Sequence, residues 1–132
     1  MSPVDTVREF MSRINQGDAD KLAELMTEDH AFVDPMGQAM RGREAMRAGW
    51  RGYYAMCPDY CVTCEKLLAD GNVVAAFGSA GGTIAVNGEL SPGNKWRVPA
   101  AWKAIVENDL VKEWRVYADN QPVREILNRS RG

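Results

Sequence analysis

Asp34, His30 and Asp119 are the side chains of this sequence whose types and surroundings could move a proton. Asp34 opens the run Asp34-Pro35-Met36-Gly37, just after the strand-favouring pair Phe32-Val33. Pro35 disfavours helix at the residue before it, so His30 to Asp34 reads as a short strand. Alternation then puts His30, Phe32 and Asp34 on one face. A carboxylate beside an apolar wall is a candidate general base. His30, which titrates near neutral pH when unperturbed, is a candidate relay. The plainer reading of the same residues is a turn capped by the Asp34 side chain and a hydrogen-bonded wall histidine. Asp119 lies near the end of the last strand-like run, opposite Trp114, Val116 and Ala118, and reaches their face only across a bulge.

Metal and thiol chemistry find less support. Cys57, Cys61 and Cys64 lie within eight residues, and His30 is the only histidine. A closed zinc site takes four ligands, usually as two spaced pairs, so no metal is expected. An odd number of cysteines also supplies no disulfide framework. They read as small apolar fillers in a reducing compartment.

The elements that must hold these groups begin with two helices. Ser2, Pro3 and Asp5 cap the first, whose Val4, Val7, Phe10, Met11 and Ile14 form one apolar stripe up to Asn15-Gln16-Gly17. Asp18 caps a shorter one running to about Thr27, with Leu22, Leu25 and Met26 inward. After the His30 strand, Arg43 to about Met56 has helical spacing at Ala45, Met46, Trp50 and Tyr53 or Tyr54. Gly49 and Gly52 weaken this helix and Pro58 stops it.

Strands follow. Tyr60 to Ala69 alternates, Asp70-Gly71 turns, and Asn72 to Ile84 returns with Gly78, Gly81 and Gly82 as bulge or bend points. Lys95 to Val106 sets Trp96, Val98, Ala100, Trp102 and Ala104 on one side and Arg97, Pro99, Ala101, Lys103 and Ile105 on the other. Leu110 to Ala118 is the last strand, and Val123, Ile126 and Leu127 pack a short tail.

Composition bounds the setting. With 132 residues, 18 acidic and 16 basic, the net charge is −2. This fits a single domain, residues 1–132, with 45% apolar and 26% charged side chains. No run of Lys or Arg offers a footprint for a phosphate backbone, so no nucleic acid partner is expected. The longest apolar stretches, Val73 to Phe77 and Val98 to Trp102, fall far short of the about 20 residues that span a bilayer, so no membrane association and a cytoplasmic location are expected.

Helices followed by long antiparallel strands predict an α+β fold. It is a cone-shaped, strongly curved and mostly antiparallel sheet, covered by the N-terminal helices and enclosing a pocket. The outer sheet face, with Trp96 and Trp102 exposed, is the expected surface of a homodimer.

The order of elements, with Gly17-Asp18, Leu22, the stretch Asp29-His30-Ala31-Phe32-Val33-Asp34-Pro35-Met36-Gly37-Gln38 and Gly42-Arg43-Glu44, resembles the nuclear transport factor 2-like superfamily. Within it the nearest likeness is to the ketosteroid isomerase and polyketide cyclase (SnoaL-like) branch. The resemblance implies that Asp34 stands where the isomerases carry their general base. It places their two enolate-stabilising donors at Phe10 and Ala101, neither of which can donate, so this chain departs from that donor set. In the limonene-type epoxide hydrolase pattern, Arg97-Val98-Pro99 keeps the arginine and loses its carboxylate, and Val116 replaces the last-strand aspartate. Asp119 lies where polyketide cyclases carry their acid.

The expected function is therefore a small enzyme doing acid-base chemistry of isomerase, cyclase or lyase type on a hydrophobic carbonyl-bearing or polycyclic ligand, with Asp34 as proton acceptor and no cofactor. The expected ligand wall joins Phe10, Ile14 and Phe32 to Met46, Trp50 and Tyr54, and continues through Arg97, Ala101, Trp114, Val116 and Ala118; Tyr53, Met36 and Met40 belong to the same aromatic and thioether-rich set. The alternative is a module of the same fold that binds a hydrophobic ligand or dimerises without chemistry.

Overall fold

Ser2 starts the first helix, α1 (Pro3–Gln16), through a reciprocal cap: its hydroxyl accepts from the Asp5 amide at 3.1 Å, and the Asp5 carboxylate accepts from the Ser2 amide at 3.2 Å. Gly17 ends it at φ 70°, a left-handed conformation that suits glycine. The computed structural model describes residues 1–131. In α2 (Ala19–Ala23) the Asp18 carboxylate caps the amides of Asp20 and Lys21. This helix stops short of Thr27, because Met26 already pairs with Val111 across the sheet and starts β1 (Met26–Val33).

A short strand, β2 (Ala39–Arg41), folds back on β1, and α3 (Arg43–Met56) follows. Then come β3 (Cys61–Asp70), β4 (Val73–Thr83), β5 (Lys95–Glu107) and β6 (Leu110–Ala118). The tail is a helix, α4 (Gln121–Arg131). Sheet order is β2-β1-β6-β5-β4-β3, and every pairing is antiparallel except β1 with β6.

Register breaks bend the sheet around its helices. The β3–β4 pairing steps from Cys64↔Gly78 to Lys66↔Phe77, which leaves Glu65 as the extra residue. Gly78 is obligatory there, since a Cβ would occupy the position of the Thr63 carbonyl. Two further breaks lie in β1–β6 and β5–β6. On the covered face α1 crosses β3 to β6 and α3 packs on β1 and α2. Among the described residues no helix is long and apolar enough to cross a membrane.

One expectation is reversed. Trp96 and Trp102 are 6% and 2% exposed and face the interior, together with Val98, Ala100 and Ala104. The outward side of β5 carries Arg97, Pro99, Ala101, Lys103 and Ile105. Burying two indoles under the helices removes far more apolar area from water than burying that mixed set would.

Candidate active site

Between α3 and the concave sheet face lies a cavity of about 320 Å³. Its wall is aromatic because four elements aim rings at one space. Phe32 comes from β1 and Trp50 and Tyr53 from α3; Tyr60 lies just before β3, and Trp96, Trp102 and Trp114 come from β5 and β6. All four tryptophans of the chain line it. Trp50 is the hub: its ring centroid lies 6.5 Å from Phe32, 6.1 Å from Tyr53, 5.6 Å from Tyr54 and 6.1 Å from Tyr60. Trp102 stacks on Trp114 at 6.1 Å. Tilted and edge-on contacts of this kind add to simple area burial and stiffen the wall.

Asp34 lines the same cavity and is half-buried near its mouth, beside Pro35 and the exposed Met40. Its Oδ1 accepts from the amides of Met36 and Gln38, both at 2.9 Å. The main chain closes the turn: the Asp34 amide donates to the Gln38 carbonyl, and the Gly37 amide donates to the Asp34 carbonyl. One oxygen is therefore held by the turn, and the other takes neither amide. The two sequence readings of Asp34, turn cap and pocket carboxylate, describe the same side chain.

The other candidates separate. Phe32, Met46, Trp50, Trp114, Val116 and Ala118 line the cavity. Phe10 and Ile14 are fully buried in the core behind it, as α1 turns its stripe onto the sheet. Tyr54 faces α1, where its hydroxyl donates to the Ile14 carbonyl at 2.7 Å. Met36 is exposed on the turn. Arg97 and Ala101 stand on the outer sheet face because β5 alternates; Arg97 donates to the hydroxyls of Thr63 and Ser79 there. Asp119 is exposed, caps the Gln121 amide at 2.9 Å and pairs with Arg124 at 3.9 Å, so it starts α4 and does not enter the cavity.

His30 does not line the cavity either. It is fully buried, with the Phe10 ring centroid 6.1 Å away, and its Nδ1 lies 2.7 Å from the Val111 carbonyl. That contact makes Nδ1 the protonated nitrogen, and Nε2 has no partner among the described residues. Burial is the largest cause of its depressed pKa, outweighing the Val111 hydrogen bond and the nearby Asp29 and Glu113 charges.

The sequence reading missed Tyr60, Trp96, Trp102 and Asn120 as lining residues. For the two tryptophans a signal existed: their side of β5 is wholly apolar, whereas the other carries Arg97 and Lys103. Among the described residues no three His, Cys, Asp or Glu side chains gather as metal ligands. Cys57 is buried, Cys61 half-buried and Cys64 exposed, all as free thiols. Burial, reinforced by the Asp59 charge, pushes the Cys57 thiol up to about 11.

A family model for the SnoaL-like domain matches residues 7–114. No curated protein matches the chain. Among solved structures, a protein of ketosteroid isomerase-like fold from Catenulispora acidiphila, in complex with trimethylamine, is 22% identical with a TM-score of 0.78, covering 93% of this chain and 91% of that one. A protein from Shewanella denitrificans described as a SnoaL-like polyketide cyclase is 12% identical with a TM-score of 0.81, covering 96% and 97%. An epoxide hydrolase of limonene hydrolase-like type from M. tuberculosis is 16% identical with a TM-score of 0.78, covering 97% and 90%. At such identities the likeness is one of fold, and fold does not carry reaction.

Proposed function

Because the chain belongs to the family of SnoaL-like domains, we propose that its cavity takes a hydrophobic, carbonyl-bearing small molecule and that Asp34 moves a proton on it, in a reaction of isomerase, cyclase or lyase type. One observation carries the reading: among the described residues, Asp34 is the only charged side chain lining the cavity. Its Oδ1 is pinned by two amides, so the carboxylate is held in one orientation, and the remaining oxygen is the acceptor for a proton from the carbon beside the carbonyl. The protonated Asp34 carboxyl, open to exchange with solvent, then delivers a proton to another atom of the ligand. Seven rings in the wall suit a flat apolar body, and a volume of about 320 Å³ holds a ligand of one to three fused rings. Among the described residues no cationic side chain lines the space, which disfavours anionic substrates.

An enolisable bicyclic ketone such as 2-tetralone, incubated with the protein in heavy water, tests this. Exchange beside the carbonyl should exceed the uncatalysed rate and fall at least about a hundredfold in Asp34→Asn. Exchange at the uncatalysed rate with wild type, or unchanged exchange in the variant, overturns the assignment.

The second reading, binding without chemistry, is favoured by the aromatic wall itself. Stacked rings beside one carboxylate also suit a methylated ammonium cation, and the Catenulispora protein is one whose structure holds trimethylamine. Quenching of tryptophan fluorescence by tetramethylammonium, with no proton exchange on any ketone, is the result this reading expects.

For the outer sheet face we infer a second copy of the chain as occupant. Phe77, Ala101 and Tyr117 stand in register across β4, β5 and β6, and Phe77 and Tyr117 are 45% and 46% exposed. Tyr117 is flanked by the Arg115 guanidinium 5.0 Å from its ring, and Lys103 pairs with Glu113 at 2.8 Å beside the row. An apolar stripe with charged edges is the anatomy of a self-complementary interface.

A further inference from the structure

Three tyrosines surround Trp50, and their hydroxyls have different fates. That of Tyr54 is committed to the Ile14 carbonyl. Those of Tyr53 and Tyr60 have no hydrogen-bond partner among the described residues, although both rings are largely buried and both line the cavity. A buried phenol ordinarily finds a partner. Neither oxygen is sealed away: the fully enclosed polar side-chain atoms without a partner include the indole nitrogens of Trp50 and Trp96 but neither phenol oxygen.

The two rings meet edge to face, with centroids 4.9 Å apart and planes at 73°. Tyr53 comes from the last turns of α3 and Tyr60 from the stretch just beyond Pro58, so the helix stop is what brings them together. Tyr60 is fixed further by Trp96, 6.0 Å away. Phe10 and Ala101, where the resemblance would place donors, do not line the cavity.

We propose that the Tyr53 and Tyr60 hydroxyls are the donors that seat an acceptor oxygen of the ligand, so that the cavity selects ketones, esters or enols over hydrocarbons of the same shape. The proposal rests on the cavity being the ligand site, and it specifies which end of that cavity holds the oxygen. Burial pushes both phenol pKa values above the ordinary range, so both groups keep their protons to donate across the pH range in which the protein would work. Phenol donors in a site closed off by rings can stabilise charge that develops on that oxygen when a proton leaves the neighbouring carbon.

Two probes of the same shape test this, 2-tetralone and the hydrocarbon tetralin, each titrated against the tryptophan fluorescence of the cavity wall. The ketone should bind wild type more tightly. Tyr53→Phe and Tyr60→Phe should each weaken the ketone several-fold, and together by about tenfold or more, with tetralin unchanged. The carbonyl stretch of the bound ketone should lie at lower frequency in wild type than in the double variant, a shift that a merely structural role for the hydroxyls would not produce. If the double variant binds both probes as wild type does, the donors are misassigned while the cavity stands as the ligand site. If wild type binds neither probe, the cavity reading fails and takes this proposal with it.

Discussion

His30 Nδ1 lies 2.7 Å from the carbonyl oxygen of Val111, across the only parallel pairing among the sheet's described strands. The ladder there jumps from Met26↔Val111 to Ala31↔Glu113, and the imidazole takes up a carbonyl that the irregular stretch leaves available. The Gly42 amide in turn donates to the His30 carbonyl at 2.7 Å, tying this point of β1 to the start of α3. The histidine is thus a structural pin behind the Phe10 and Trp114 rings, which stand 4.9 Å apart.

Stability should therefore depend on pH through this residue. Burial lowers its pKa in the folded chain below the ordinary histidine value of about 6.5, so the unfolded chain binds the proton more readily. The His30 contribution is complete above the unfolded pKa and is lost as pH falls below it, at up to about 1.4 kcal/mol per pH unit. Urea unfolding at pH 7.5 and pH 5 reads this out. His30→Gln should flatten the slope, and an identical slope in both proteins would show that another group is responsible.

Two glycines should respond oppositely to alanine. At Gly78 a Cβ collides with the Thr63 carbonyl of the neighbouring strand, and Gly78→Ala should cost about 1–3 kcal/mol as the bulge rearranges. At Gly52, inside α3, a Cβ meets nothing within 4 Å, and Gly52→Ala should stabilise the chain by about 0.5–1 kcal/mol. Thermal or urea midpoints of the pair check both signs at once.

The inside and outside of the sheet can be told apart by ligand binding. Ala118 lines the cavity, whereas Ala101 stands on the opposite face. Ala118→Phe should abolish 2-tetralone quenching by filling the space, and Ala101→Phe should leave it unchanged. Loss of binding in both would contradict this assignment of faces.

The outer-face dimer predicts a halved mass. Placing a charge in the Phe77, Ala101 and Tyr117 row, as in Phe77→Lys, should convert a wild-type dimer to monomer in sedimentation equilibrium without changing its circular dichroism. A wild-type chain that sediments as a monomer removes the proposal.

The sequence by itself determined the local elements whose signals are local. Ser2, Asp5 and Gly17 bound α1, helical spacing and Pro58 bracket α3, and regular alternation marks β5. It also put Asp34 just past the end of β1, because Pro35 disfavours helix there. Three-residue β2 is too short to carry a pattern, and α4 read only as an apolar tail. Alternation names two faces of β5 with equal regularity; which becomes the wall of a cavity depends on the side α1 and α3 cover, and that is fixed by packing far along the chain. For the same reason Tyr60, read only as the first residue of the strand that in fact starts at Cys61, carried no signal of facing the cavity, and the fate of its hydroxyl was decided only when the fold brought it beside Tyr53.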